Sequence, residues 1–470
     1  MRSVHERASN DNGRAELISE LAARMVTAAS RCLPAVDFES LEAILLEATN
    51  EAVRQLLERD LKRIADSFGD EIEVRGERYR RHQPGTVKYF SLSGALEVTR
   101  FTYRLATKRN GPTCVPLELT AAIAFGATPA LAFSLAQGHA KAPIRSVEQD
   151  LRAAHRGPPS RSTMDRIARH LGGLANHYVD EIEPMLRARE ELPDGAFAIN
   201  LGLDRTSIPM EEPANGEPSK SGFVVRYRMG YVGTVCITDA SCEPLVTRRY
   251  AAPAHEDPDR LIERMMDDLE HALLQKPTLN IGIVQDNAPE MWNRMREAME
   301  QRLPKGRWRE TVDRYHLMTR LSAMLEVLYP TPRDEPKRRK LYARWSTDID
   351  RDTAAVQRIV DWAEREARAK SHRAWLEWSR LIYVYTLCRS HFRYASLKKL
   401  GLYSGSGVTE GACKSLIAAR AKRSGQRWRM VGISSVLALR TLLDSDRLEQ
   451  FWPHFTLQFH AVCKEPSMAA

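Results

Sequence analysis

Cysteine is scarce in this chain, with seven among 470 residues, at positions 32, 114, 236, 242, 388, 413 and 463. They are scattered and form no CxxC pair or Cys/His cluster, which excludes a zinc ribbon or a disulfide framework and favours free thiols in a reducing cytoplasm. Long apolar runs are missing too. The first 30 residues mix Arg, Glu and Asp around no apolar core, so no signal peptide is read there. Leu119 to Ala140 carries no Asp, Glu, Lys or Arg, yet it is rich in Ala and Thr and broken by Gly126 and Pro129. A membrane helix needs about 20 strongly apolar residues, so this stretch is expected to form a pair of small buried helices in a soluble protein. Acidic charge is in deficit: 61 Asp+Glu against 70 Lys+Arg give a net charge of +9. That balance suits polyanionic partners without demanding them. The length allows roughly two to four domains.

What is present is a set of carboxylates in distinctive settings. Gly405-Ser-Gly-Val-Thr-Glu410-Gly-Ala-Cys-Lys414 reads as a Gly/Ser turn, a Thr409 N-cap and a helix with Glu410 in its first turn, where the macrodipole tolerates negative charge. Lys414, Arg420 and Arg423 follow at spacings of three to six residues, near one side of that helix. Arg427 and Trp428 close the block. An acid able to hold a metal, beside cations able to hold phosphates, is the equipment of phosphoryl transfer on nucleic acid; an ordinary charged surface helix has the same composition. Asp204 lies on the apolar run Ala198 to Met210, a strand that seldom carries a carboxylate unless the acid is paired or metal-bound. Asp286 ends the short strand Leu279 to Gln285, and a helix begins at Pro289. Taken alone, each Asp also reads as a turn or cap residue.

The run Asp204, then Asp286-Asn-Ala-Pro-Glu-Met-Trp292, then Asp313-Arg-Tyr-His316, then the Glu410 block through Arg423-Ser-Gly-Gln-Arg-Trp428 resembles a bacterial insertion-sequence transposase and is similar to the ISKra family. The resemblance covers roughly residues 85 to 455 and is most specific at Glu410. It implies an RNase H-like catalytic domain with a DDE triad of Asp204, Asp286 and Glu410. Family sequences usually follow the second acid with Gly, where this chain has Asn287, a residue that tolerates the same turns. The implied chemistry is phosphoryl transfer with two Mg²⁺ (or Mn²⁺) about 4 Å apart on the three acids, cleaving DNA and then joining its 3′-hydroxyl to a target. Lys414, Arg420, Arg423 and Arg427 would meet phosphates, and Trp428 would stack on a base or fill the core. Asp313 and His316 would support the site, or else be a cap and a satisfied His. The implied partners are transposon ends and target DNA, the implied assembly a homodimer or higher synaptic oligomer, and the implied setting the bacterial cytoplasm at the nucleoid, away from membranes.

The expected fold is α/β: an RNase H-like mixed sheet with an all-helical insertion, preceded by a helical and β-hairpin DNA-binding region. Residues 1–70 are expected to be helical, with an apolar stripe from Leu41 to Ile64 that serves as core or as a dimer seam. Residues 71–180 hold a hairpin about Ser93-Gly94, with nine Lys/Arg and two Glu between Arg75 and Arg109 interleaved with aromatics. Two helices then flank Arg156-Gly-Pro-Pro159 as a possible helix-turn-helix, whose second helix carries Arg161 and Arg166 toward DNA. Residues 195–316 and 401–455 make the catalytic domain, with three antiparallel strands followed by alternating helix and strand. Residues 317–400 are a helical insertion, because 410 − 286 = 124 positions are too many for a bare core. The runner-up functions are an RNase H-like nuclease or resolvase without strand transfer, and a DNA-binding protein whose catalytic fold is silent.

Overall fold

The computed structural model describes residues 18–20, 22, 23, 26, 27, 38–74, 76–214, 222–253, 258–286, 288–387 and 389–462. Its contacts divide the chain into two units, residues 1–182 with 448–470 and residues 183–447. The hairpin region and the first helix therefore share one unit. The central sheet and the helical segment after it share the other, and 448–455 group with the first.

In the first unit, helix Phe38–Asp66 precedes a four-stranded antiparallel sheet of β1 Glu71–Val74, β2 Glu77–Ser91, β3 Gly94–Leu105 and β4 Thr113–Cys114. The expected hairpin is the long β2–β3 pair, in register about Ser91↔Gly94. The helix covers it. Leu61 and Ala65 are buried with Tyr89, Leu96 and Val98, so the later part of the apolar stripe is core. The charge-free stretch forms helices Pro116–Thr120 and Pro129–Lys141. The helix-turn-helix candidate becomes helices Ile144–Ala153 and Arg161–Arg187. The second is 27 residues long. Among the described residues, no helix is long and apolar enough to cross a membrane.

The second unit is built on a five-stranded mixed sheet in the order β7-β6-β5-β8-β9, comprising β5 Ala198–Pro213, β6 Phe223–Thr238, β7 Pro244–Ala252, β8 Asn280–Gln285 and β9 Trp308–Val312. β5, β6 and β7 are antiparallel neighbours, whereas β8 pairs parallel to β5 and β9 parallel to β8. The parallel pairings require crossovers, which helices Pro258–Gln275 and Pro289–Arg302 supply. β6 is one unbroken strand, because its whole length pairs with β5. The helices after β9, Arg314–Leu328, Glu335–Arg351, Ala355–Lys370 and His372–Leu387, contribute Leu321, Trp345, Ile359 and Trp378 to the same buried cluster as Leu201, Ile281 and Trp292. Trp378, Phe392 and Tyr394 are buried, as packing aromatics should be. The side chains of Tyr383 and Tyr385 lie outside the described residues.

Candidate active site

Strand register brings the first two acids together. In the parallel pair Leu201 faces Ile283, an offset of 283 − 201 = 82, and Asp204 and Asp286 share it, 286 − 204 = 82. Both acids thus come at the same level, three residues past the last paired rung. On the next strand, Val312 pairs with Gln285 and the Asp313 amide donates to the Gln285 carbonyl at 2.9 Å. Three neighbouring strands therefore present Asp204, Asp286 and Asp313 at one level.

Glu410 arrives from helix Gly407–Ala412 through a close approach that only glycine permits. A Cβ on Gly202 would sit 2.0 Å from Thr409 Oγ1, so the helix can lie on β5 only where the strand has no side chain. Thr409 is not the N-cap expected from sequence. Ser406 holds that position, and the buried Thr409 hydroxyl bonds Thr234 Oγ1 at 2.7 Å instead. The helix then changes pitch into a π-helical segment, Cys413–Ala418, before ending at Ala421. Such segments lengthen the hydrogen-bonded ring by one residue and rotate everything downstream.

Each acid is held by identifiable donors. Asp204 Oδ1 accepts from the Arg205 amide at 2.7 Å, and Oδ2 accepts from the Cys413 thiol at 3.3 Å. Burial pushes the Asp204 carboxyl above its ordinary range, and the nearby charges of Asp286 and Glu410 push the same way. Burial and Asp204 together drive the Cys413 thiol far up, so it stays a protonated donor. Asp286 Oδ1 caps the Ala288 amide at 3.1 Å, while Trp292 Nε1 holds the Asp286 carbonyl at 2.8 Å. Glu410 Oε1 accepts from Ser406 Oγ at 2.9 Å and lies 3.9 Å from His316 Nε2. Asp313 is buried and accepts from the Ser406 amide and from the His316 amide, the latter at 2.8 Å, and its Oδ2 stands 2.8 Å from Ser406 Oγ, whose single proton serves either Asp313 or Glu410. Asp313 and His316 thus reach Glu410 from either side, the former through Ser406.

The cations divide into two groups. Lys414, Arg423 and Arg427 are exposed. Arg420, expected on the same face, is only 3% exposed, with its guanidinium 4.8 Å from the Trp428 ring centroid. Trp428 is itself tied down, its amide to Pro209 at 3.0 Å, its indole to Ala421 at 3.1 Å and its carbonyl to Glu211 at 2.7 Å. Arg420 is thus packed away from solvent, and Trp428 is half-buried against it. In the first unit Arg161 is exposed but paired to Glu148 at 2.7 Å, and Arg166 is exposed, its guanidinium reaching the Phe125 carbonyl at 3.5 Å. Cys413, Ser406, Thr409 and Gly202 were not legible as site residues. Only the first three lie inside the Glu410 block, and nothing in their spacing signals a partner on β5, β6 or β9.

Among the described residues, no group of three or more His, Cys, Asp or Glu side chains stands close enough to hold a metal ion. The donor chemistry nonetheless suits a hard divalent cation. Asp286 Oδ2 and Glu410 Oε2 accept no hydrogen bond among the described residues, and a cation relieves the repulsion felt at Asp204.

No family model and no curated protein matches this chain. Two solved structures are similar to it at low overlap. The Drosophila P element transposase strand transfer complex has a TM-score of 0.27 and 10% identity, over 70% of this chain and 80% of that one. The Mos1 transposase paired-end complex with left transposon end has a TM-score of 0.16 and 10% identity, over 53% of this chain and 74% of that one. At such overlap the functional reading rests on the site itself.

Proposed function

We propose that this chain is a DNA transposase of the insertion-sequence kind, with an RNase H-like catalytic fold that cleaves element ends and joins them to target DNA through Asp204, Asp286 and Glu410. The observation that carries the reading is geometric: Asp204 and Asp286 stand at one level at the ends of adjacent strands β5 and β8, and Ser406 links Glu410 of the late helix to Asp313 at the end of β9. Three antiparallel strands followed by two parallel ones, with the acids on the first and fourth, is the arrangement an RNase H-like reading requires. Asp204, Asp286 and Glu410 would hold Mg²⁺ or Mn²⁺, which supplies charge neutralisation and activation of the attacking oxygen in an in-line displacement. The protein's own part is positioning. Cys413 and the Arg205 amide orient Asp204, Trp292 anchors the turn at Asp286, and Ser406 orients Glu410. Lys414, Arg423 and Arg427, which follow Glu410 in the chain, face solvent and would meet the DNA backbone. Two protomers would pair two ends.

The test is incubation of the protein with Mg²⁺ and DNA bearing the inverted repeats that flank its gene. Cleavage at the repeat, followed by joining to a second duplex, is expected, and Asp204→Asn, Asp286→Asn and Glu410→Gln each abolish it while sparing DNA binding. Cleavage without joining identifies a nuclease, and binding without cleavage identifies a silent DNA-binding protein.

A further inference from the structure

Beside β9, the free edge of the mixed sheet, lies a half-open cavity of about 620 Å³, bounded by that strand and the segment Ser390 to Leu400. It runs along β9 from Trp308 to Thr311, and none of Asp204, Asp286, Glu410, Lys414, Arg423 or Arg427 lines it. Its volume falls in the range of small-molecule sites.

The wall chemistry is lopsided. Arg296, Lys305, Arg309 and Arg393 line it against two carboxylates, Glu300 and Glu310. Glu310 is already neutralised. Arg296 grips it with two hydrogen bonds at 3.0 and 2.6 Å, His391 Nε2 stands 2.9 Å away, and Trp308 Nε1 donates at 3.2 Å. Glu300 reaches Lys305 only at 3.7 Å. Arg309 and Arg393 are exposed and have no carboxylate partner among the described residues. Thr353 and Ser390 add hydroxyls to the lining, the Ser396 hydroxyl donates to the Arg393 carbonyl at 2.7 Å, and His391 Nδ1 is buried without a hydrogen-bond partner. Two unneutralised guanidiniums facing a recess with hydroxyl donors are the means by which proteins hold phosphate, because the planar fork matches two phosphate oxygens.

We propose that this cavity is a second anion site, binding a phosphate group through Arg309 and Arg393 with Lys305 in support, with none of the three acids in its lining. The phosphate is either a backbone phosphodiester of DNA running past the sheet edge or a free phosphate monoester. The proposal stands without the transposase reading, since nothing in it uses the three acids.

The test is calorimetric titration of the full chain with inorganic phosphate and, separately, with a short duplex of arbitrary sequence across a salt series. Arg309→Gln with Arg393→Gln should weaken phosphate binding at least tenfold if the ligand is the monoester. If the ligand is DNA, the same pair should lower the log–log salt slope by about 0.9 for each phosphate no longer neutralised. Glu300→Gln, which releases Lys305, should tighten whichever ligand binds. All three positions sit on the surface, so thermal melts should match wild type and exclude unfolding as the cause. Wild-type affinity for phosphate and an unchanged salt slope on DNA in the double variant would overturn the site. Loss of cleavage by Asp204→Asn, with cavity binding intact, keeps the two readings separate.

Discussion

Gly202→Ala tests the close approach that delivers Glu410 to the sheet. The new methyl would stand 2.0 Å from Thr409 Oγ1 and 3.2 Å from both Thr409 Cβ and Thr234 Oγ1. Comfortable contact begins near 3.5 Å, so Thr409 and its helix must retreat by roughly 1.5 Å or the strand must bend. Both threonines are buried, which leaves their side chains no solvent to turn into. Overpacking of this kind costs about 1–3 kcal/mol. Parting the 2.7 Å Thr234–Thr409 hydroxyl pair strands buried polar groups at about 1–3 kcal/mol more. A total near 3 kcal/mol corresponds to a melting temperature lower by roughly 6–12 °C for a unit of this size. A displacement of order 1 Å at a catalytic group also lowers rate by about 10²-fold. The assays are a thermal melt and end cleavage with Mg²⁺. Adding Thr409→Ala removes the clashing oxygen and should recover much of the lost stability. A Gly202→Ala protein that melts and cleaves like wild type would refute the close-approach argument.

Asp204→Asn should stabilise the fold while abolishing cleavage. The folded-state pKa is raised, so the ionised acid costs stability above that value and nothing below the unfolded one. The gain, present at neutral pH, should vanish in melts near pH 3. Glu310 behaves oppositely. Burial opposes its ionisation, but hydrogen bonds from His391, Arg296 and Trp308 outweigh that and hold its carboxyl down at about 2. Its stabilisation, on the order of 2–3 kcal/mol, is present above the unfolded value and lost as pH falls toward 2. Glu310→Gln should therefore destabilise at pH 7 and show little effect in melts near pH 2. Replacing Lys414, Arg423 and Arg427 with Gln should lower the salt slope of DNA binding by up to about 0.9 per phosphate no longer neutralised; an unchanged slope would make them a solvated face.

Much of the second unit was legible because its punctuation is local. The strand ending at Gln285, the helix opening at Pro289 and the strand at Trp308 are each bounded by turn or cap residues, and the structure has all three. Arg420 shows where such reading stops. Six residues past Lys414 an α-helix has turned by about 600°, well off the Lys414 face, so the spacing never supported the expected place, and Arg420 packs inward against Trp428. Thr409 departs from expectation similarly, since a residue that favours caps is claimed by a tertiary partner on β6. The Cys413–Asp204 bond spans 209 positions, and no periodicity encodes a pairing at that range. Composition alone likewise did not mark β1 or β4, two short edge strands whose pairing depends on β2 and β3.

The helices after β9 read as an addition to the catalytic sheet, yet their side chains lie in one apolar cluster with it. What is separable along the chain is inseparable in space. A shortened protein lacking residues 317–400 would not yield a minimal nuclease. It would bare Val312 and Trp292 to water and lose Tyr394, whose hydroxyl donates to the Val312 carbonyl at 2.9 Å immediately before Asp313. Swapping this segment between related chains should therefore succeed only when the sheet face beneath it is exchanged as well.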